Sequence, residues 1–153
     1  MKSILLSLLI VGFAWSAGDP AGFHYWSASE LKGFSTTLGP KTTATTPGTQ
    51  SLASFANYSF MMAYRKGSGQ AELHETQADI IVIQSGEVTM VYGGEVVDGK
   101  STGPHEIRGS DIRGGVERKL AAGDILTIPV KTPHMMKLDP GKDVLYMAIK
   151  VTQ

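Results

Sequence analysis

From Tyr58 onward, apolar and β-prone residues come only in short runs, each closed by Gly, Pro or Asp: Tyr58 to Tyr64, Ala71 to His74, Ile80 to Ile83, Val88 to Tyr92, Ile125 to Ile128 and Val144 to Val151. No stretch carries a sustained 3.6-residue pattern, so long helices are excluded and the remaining solution is a sandwich or barrel of many short strands. The 18 Gly and 7 Pro supply the turns such a fold needs. Gly93-Gly94, between Tyr92 and Glu95, reads as a hairpin turn. The segment from Asp98 to Gly115 reads as a long Gly-rich loop, either a solvated charged turn or a lid over the barrel mouth, carrying His105, Glu106, Arg108, Asp111 and Arg113.

The first 57 residues differ. Lys2 precedes an apolar run from Ile4 to Trp15, too short to span a bilayer but matched to an export signal with a small-residue cleavage site near Ser16 to Gly18. The expected organisation is a signal peptide over 1–17, a short helix and surface extension over 18–56, and a β-barrel over 57–153. Ser27 and Glu30 form a capping-box pattern, with Gly33 expected to end that helix early and Ser35 to Ser51 to run as a surface excursion. The product is expected to be exported, to the periplasm or the exterior, with no stable membrane span after cleavage; an uncleaved N-terminal membrane anchor is the alternative reading of the run.

The 14 basic and 14 acidic side chains cancel, which gives nucleic acid no electrostatic foothold. Cys is absent, so disulfides, thiolate catalysis and thiolate metal sites are excluded. Metal chemistry would fall to His, carboxylate or Met. Of four histidines, His74 and His134 stand in strand-like contexts with carboxylates nearby. Strand side chains alternate faces, so Glu72 and His74 share one, and Asp79 shares its parity with Ile81 and Ile83. If these faces line the barrel interior, Glu72, His74 and Asp79 can converge on one ion.

Two segments carry a resemblance. His74, four residues, Asp79, six residues and Gly86 match the second His, the acid and the closing Gly of G(X)5HXH(X)3,4E(X)6G, with Glu72 at the first His. Gly123, Pro129 and His134 match G(X)5PXG(X)2H(X)3N, with Lys131 at the second Gly and Leu138 at the Asn; Gly67 lies one residue off the first motif's opening Gly. Over Tyr58 to Val151 the chain resembles the cupins, which implies an all-β, jelly-roll β-barrel with a short N-terminal helix. The resemblance implies one divalent metal, Mn, Fe or Zn rather than Cu or Ni, held by Glu72, His74, Asp79 and His134. Asp79, shorter than the family's Glu, either binds the metal or orients His74. A register that uses Thr76 as the second His leaves too few residues before Asp79.

The resemblance implies chemistry from dioxygenation to isomerisation or decarboxylation on a small organic molecule, without choosing among them. A non-catalytic barrel that binds a small ligand or dimerises is the alternative. In that case His74 and His134 are satisfied interior side chains and Glu72 pairs with Arg65 or Lys137. A homodimer is compatible with either reading. Tyr58, Phe60 and Met62 share a strand face and are expected, with Met136 beside His134, to wall the substrate pocket. The thioethers of Met61, Met62, Met135 and Met136 fit core filling better than copper.

Overall fold

A computed structural model describes residues 18–153, so the expected export signal lies outside the described residues. One 16-residue strand organises the chain. The helix α1 (Ala28–Leu38) is followed by β1 (Gly48–Ser54), β2 (Tyr58–Arg65), β3 (Ala71–His74) and the long β4 (Gln77–Tyr92). Then come β5 (Glu95–Val97), β6 (Lys100–Gly103), β7 (Glu106–Gly109), β8 (Asp111–Arg113), β9 (Val116–Ala121), β10 (Ile125–Ile128), β11 (His134–Lys137) and β12 (Val144–Thr152). The first part of β4 pairs with β12 and β10, and its second part with β9 and β11. Because β4 serves both halves, it joins a β1-β2-β12 layer to a β11-β3-β7-β6 layer, with every pairing antiparallel.

The passage from one layer to the other falls at Gly86. Its φ is +79°, and a Cβ there would come 2.1 Å from the Asp143 carbonyl oxygen, so only glycine fits. Register slips beside it at Leu145/Tyr146, as expected where a bulge bends a strand. Between the layers lies a core of Ala63, Ile81, Ile83, Val88, Met90, Leu120, Val144 and Tyr146, drawn from both. The fold of the described residues is therefore all-β, a barrel with one short α-helix.

Helix α1 begins with the expected capping box, Ser27 Oγ accepting from the Glu30 amide and Glu30 accepting from the Ser27 amide. It does not stop at Gly33. Leu31, Phe34 and Leu38 recur on one helical face and pack on Met62, Tyr64, Leu145 and Met147, so burial outweighs the roughly 1 kcal/mol that glycine costs a helix interior. The expected surface excursion over Ser35 to Ser51 is corrected in the same way, since it contains the end of α1 and the start of β1, which pairs with β2 from Gly48. Among the described residues, no helix is long and apolar enough to cross a membrane.

Two further expectations change. Gly93 and Gly94 both have positive φ, but β4 and β5 do not pair; β5 pairs with β8 instead. The expected long loop from Asp98 to Gly115 contains β6, β7 and β8. Its glycines read as loop, yet Gly109 is needed inside the layer, where a Cβ would meet the Val97 carbonyl oxygen at 2.2 Å.

Candidate metal centre

Cross-strand register assembles the site. His134 on β11 is opposite Glu72 on β3, and Glu72 is opposite Arg108 on β7. Two residues along β3, His74 is opposite Glu106. On the other layer Asp79 of β4 is opposite Lys150 of β12. The alternation that sends Ile81 and Ile83 into the core sends Asp79 inward too, and the alternation of Val144, Tyr146 and Ala148 does the same for Lys150. His74, Asp79 and His134 are buried.

One ligand atom from each of Glu72, His74 and His134 lies within 4.8 Å of the others. The imidazoles sit at 5.1 Å between centroids. His74 Nδ1 is 2.6 Å from Glu106 Oε1, and His134 Nδ1 is 3.0 Å from the Thr132 carbonyl oxygen. Both partners are acceptors, so each Nδ1 carries a proton, and in its neutral form each ring turns the Nε2 lone pair inward. There Nε2 of His74 lies 3.6 Å from Glu72 Oε2 and 3.4 Å from Asp79 Oδ2, and Nε2 of His134 lies 3.5 Å from Asp79 Oδ2. Lone pairs facing carboxylate oxygens at these distances call for a proton or a cation between them. The donor set therefore fits a divalent ion such as Mn²⁺, Fe²⁺ or Zn²⁺, with Glu106 and the Thr132 carbonyl fixing the rings from outside.

Sequence reasoning missed Lys150. Its Nζ lies 2.9 and 3.3 Å from the two Asp79 oxygens and 3.0 Å from His74 Nε2. Burial alone would raise the Asp79 pKa, but the His134 and His74 rings, which donate to it from Nε2 when protonated, and the hydrogen bond and charge of Lys150 outweigh burial and hold the carboxyl well below its ordinary range. For His74, burial and Lys150 act to lower the pKa, while Asp79 and Glu106 outweigh them and raise it. Proton, ammonium and metal ion thus compete for one lone pair.

The expected partners of Glu72 are corrected. Glu72 Oε1 accepts from Arg108 at 2.7 Å, whereas Arg65 donates from Nε to the Tyr146 hydroxyl at 3.0 Å and Lys137 pairs with Asp111 at 3.1 Å. The sequence reads Arg108 as part of a loop; β7 brings it into the site instead. Glu106 Oε2 is buried without a hydrogen-bond partner, 4.0 Å from Arg108. His105 is mostly exposed and pairs with Glu75 at 3.0 Å.

A cavity of about 210 Å³ opens beside the donors, lined in part by Met61, Arg65, Arg108, Met136 and Tyr146. Met136 is on its wall. Tyr58, Phe60 and Met62 are not, because β2 turns that face toward α1: Met62 and Phe60 pack in the cluster with Leu38, while Tyr58 is exposed and stacks on Phe55. The inward face of β2 is Met61, Ala63 and Arg65.

No family model matches the chain, and no curated protein matches it. Solved structures do, at low identity. A protein of Bacillus halodurans matches with a TM-score of 0.57 at 11% identity over 88% of this chain and 83% of its own. An uncharacterized conserved protein with a double-stranded beta-helix domain from Klebsiella pneumoniae matches with a TM-score of 0.51 at 13% identity, covering 69% of this chain and 76% of that one. The polyketide cyclase RemF of Streptomyces resistomycificus matches with a TM-score of 0.50 at 14% identity over 70% of this chain and 66% of its own.

Proposed function

We propose, for a chain whose fold is the double-stranded β-helix of the cupins, that Glu72, His74 and His134 hold one divalent metal and that the adjoining cavity takes a small organic anion. The observation that carries this reading is the pair of inward Nε2 lone pairs, each fixed by an acceptor on Nδ1, beside a carboxylate. Bound there, the metal would supply a Lewis acid with open coordination positions. The chain's own residues do the rest. Arg65 and Arg108 on the cavity wall suit a carboxylate or enolate oxygen, and Met61, Met136 and Tyr146 give the carbon skeleton an apolar wall. At about 210 Å³ the cavity is below the usual range of ligand pockets, roughly 300–1,000 Å³, which favours a small molecule.

The reaction class we assign is dioxygenation or isomerisation of such a molecule, in an exported protein. The Lys2-led apolar run supports the export. A metal-free binding barrel is the second reading, favoured by one observation: the Lys150 ammonium already supplies a cation to His74 and Asp79.

Elemental analysis of protein purified without added metal or chelator, followed by equilibrium dialysis against Mn²⁺, Fe²⁺ and Zn²⁺, tests the first reading. His134→Ala is expected to bind at least about tenfold more weakly, since losing even an outer partner that orients a ligand costs that much, with the β-sheet circular dichroism intact. Equal metal binding by the two proteins would refute it.

A further inference from the structure

We propose that Lys150 is a resident cation of the metal centre, closing it when it holds no metal and leaving when metal enters, so that the centre has two mutually exclusive states. The inference rests on the metal reading above and adds a competitor to it.

The neutral His74 ring has one lone pair, on Nε2, because its other nitrogen is committed to Glu106. Lys150 Nζ points at that lone pair from 3.0 Å. A divalent metal binds imidazole nitrogen at about 2.0–2.1 Å. Along the same direction, metal and ammonium would be within about 1 Å of each other, so only one can occupy the position. Lys150 is also bound to both oxygens of Asp79, the carboxylate that lies against both imidazoles.

Its place is set by the fold. Lys150 follows Val144, Tyr146 and Ala148 on the inward face of β12, and the register with β4 sets it opposite Asp79. Its side chain is only about a quarter exposed. A lysine at an inward position is costly unless paired, and Asp79 and His74 are the groups it meets. The stem remains flexible, and the ammonium can withdraw toward the cavity it already lines. In that open state it adds a third cation beside Arg65 and Arg108 for an incoming anion.

The test is Zn²⁺ binding at one fixed pH by wild type, Lys150→Met and Lys150→Gln. Both substitutions remove the ammonium, and Gln keeps a hydrogen-bonding end for Asp79. Zn²⁺ affinity is expected to rise roughly 10- to 100-fold in both, the equilibrium ratio for a charge-assisted hydrogen bond that no longer has to be broken. Zn²⁺ should also raise the melting temperature of the variants more than that of wild type.

A measurement on wild type guards against a misfolded variant. The ¹⁵N-labelled ammonium of Lys150 should show slow proton exchange in the metal-free protein and the signal of a solvated lysine at saturating Zn²⁺. Equal affinity in all three proteins, or a Lys150 signal unchanged at Zn²⁺ saturation, would overturn the competition while leaving the metal reading in place. Failure of wild type and both variants to bind would overturn the metal reading, and the proposal with it.

Discussion

Asp79→Asn perturbs the charge around which the centre is built. In wild type Asp79 is 5% exposed and accepts from Lys150 while facing both imidazoles. Removing one partner of a buried ion pair costs about 3–5 kcal/mol; Lys150 is partly solvated and the amide oxygen still accepts, so about 2–4 kcal/mol is expected at pH 6. That corresponds to a fall in Tm of roughly 4–16 °C for a domain of this size. The pH dependence has two limbs. The Asp79 pKa is depressed in the folded state, so its stabilisation is full above about 3.9, the unfolded value, and is lost as pH falls toward the folded pKa. Within that window wild type loses about 1.4 kcal/mol per pH unit relative to the variant.

The His74 pKa is raised, partly by Asp79, so its stabilisation is full below about 6.5 and is lost as pH rises through the folded pKa. The stability gap between wild type and Asp79→Asn should therefore be widest between about pH 4 and 6.5 and narrow on both sides. Urea denaturation of both proteins, metal-free, from pH 2.5 to 8.5 measures the gap. A gap that is constant across the range, or a variant as stable as wild type at pH 6, would refute the reasoning.

Glu106→Gln keeps the shape but weakens the acceptor on His74 Nδ1, and equilibrium dialysis should find Zn²⁺ affinity about 10- to 100-fold lower with the fold unchanged. Lys131 is exposed at φ +59°, a region that costs a non-glycine residue about 1–2 kcal/mol, so Lys131→Gly should stabilise the protein by about 0.5–1 kcal/mol after the entropy of glycine is set against it. Chemical denaturation measures that gain. Met62→Ala should destabilise by about 2–5 kcal/mol and loosen α1, without changing Zn²⁺ affinity, because Met62 packs on the helix side of β2; a change in metal affinity would put Met62 back on the cavity wall.

Residues whose roles follow from two-residue alternation were legible in the sequence. Glu72 shares a face with His74, and Asp79 shares one with Ile81 and Ile83; the barrel interior is where those faces meet. The left-handed backbone at Lys131 also has a sequence signature, since the resembling motif has Gly there. Lys150 is different. Its inward parity could be read from Val144, Tyr146 and Ala148, but its meeting with Asp79 depends on a register between strands about 70 residues apart, which no local pattern encodes.

Glu106 and Arg108 alternate correctly for a strand, yet the surrounding glycines read as loop because close backbone approach within a layer selects the same residue as a turn. On β2 both faces are apolar, so periodicity could not choose between Phe60-Met62 and Met61-Ala63. The signal that could have decided is Arg65, a charge in phase with Met61 and Ala63 that belongs on the wetter, cavity side.

The central claim is that His74 and His134 present Nε2 to a single metal ion beside Glu72. X-ray absorption at the zinc edge, on protein loaded with one equivalent of Zn²⁺, tests it most directly. The account predicts two imidazole nitrogens at about 2.0–2.1 Å with carboxylate oxygen completing the shell, and one imidazole after His134→Ala. A spectrum with no imidazole scattering, or one that is the same in wild type and His134→Ala, would contradict it.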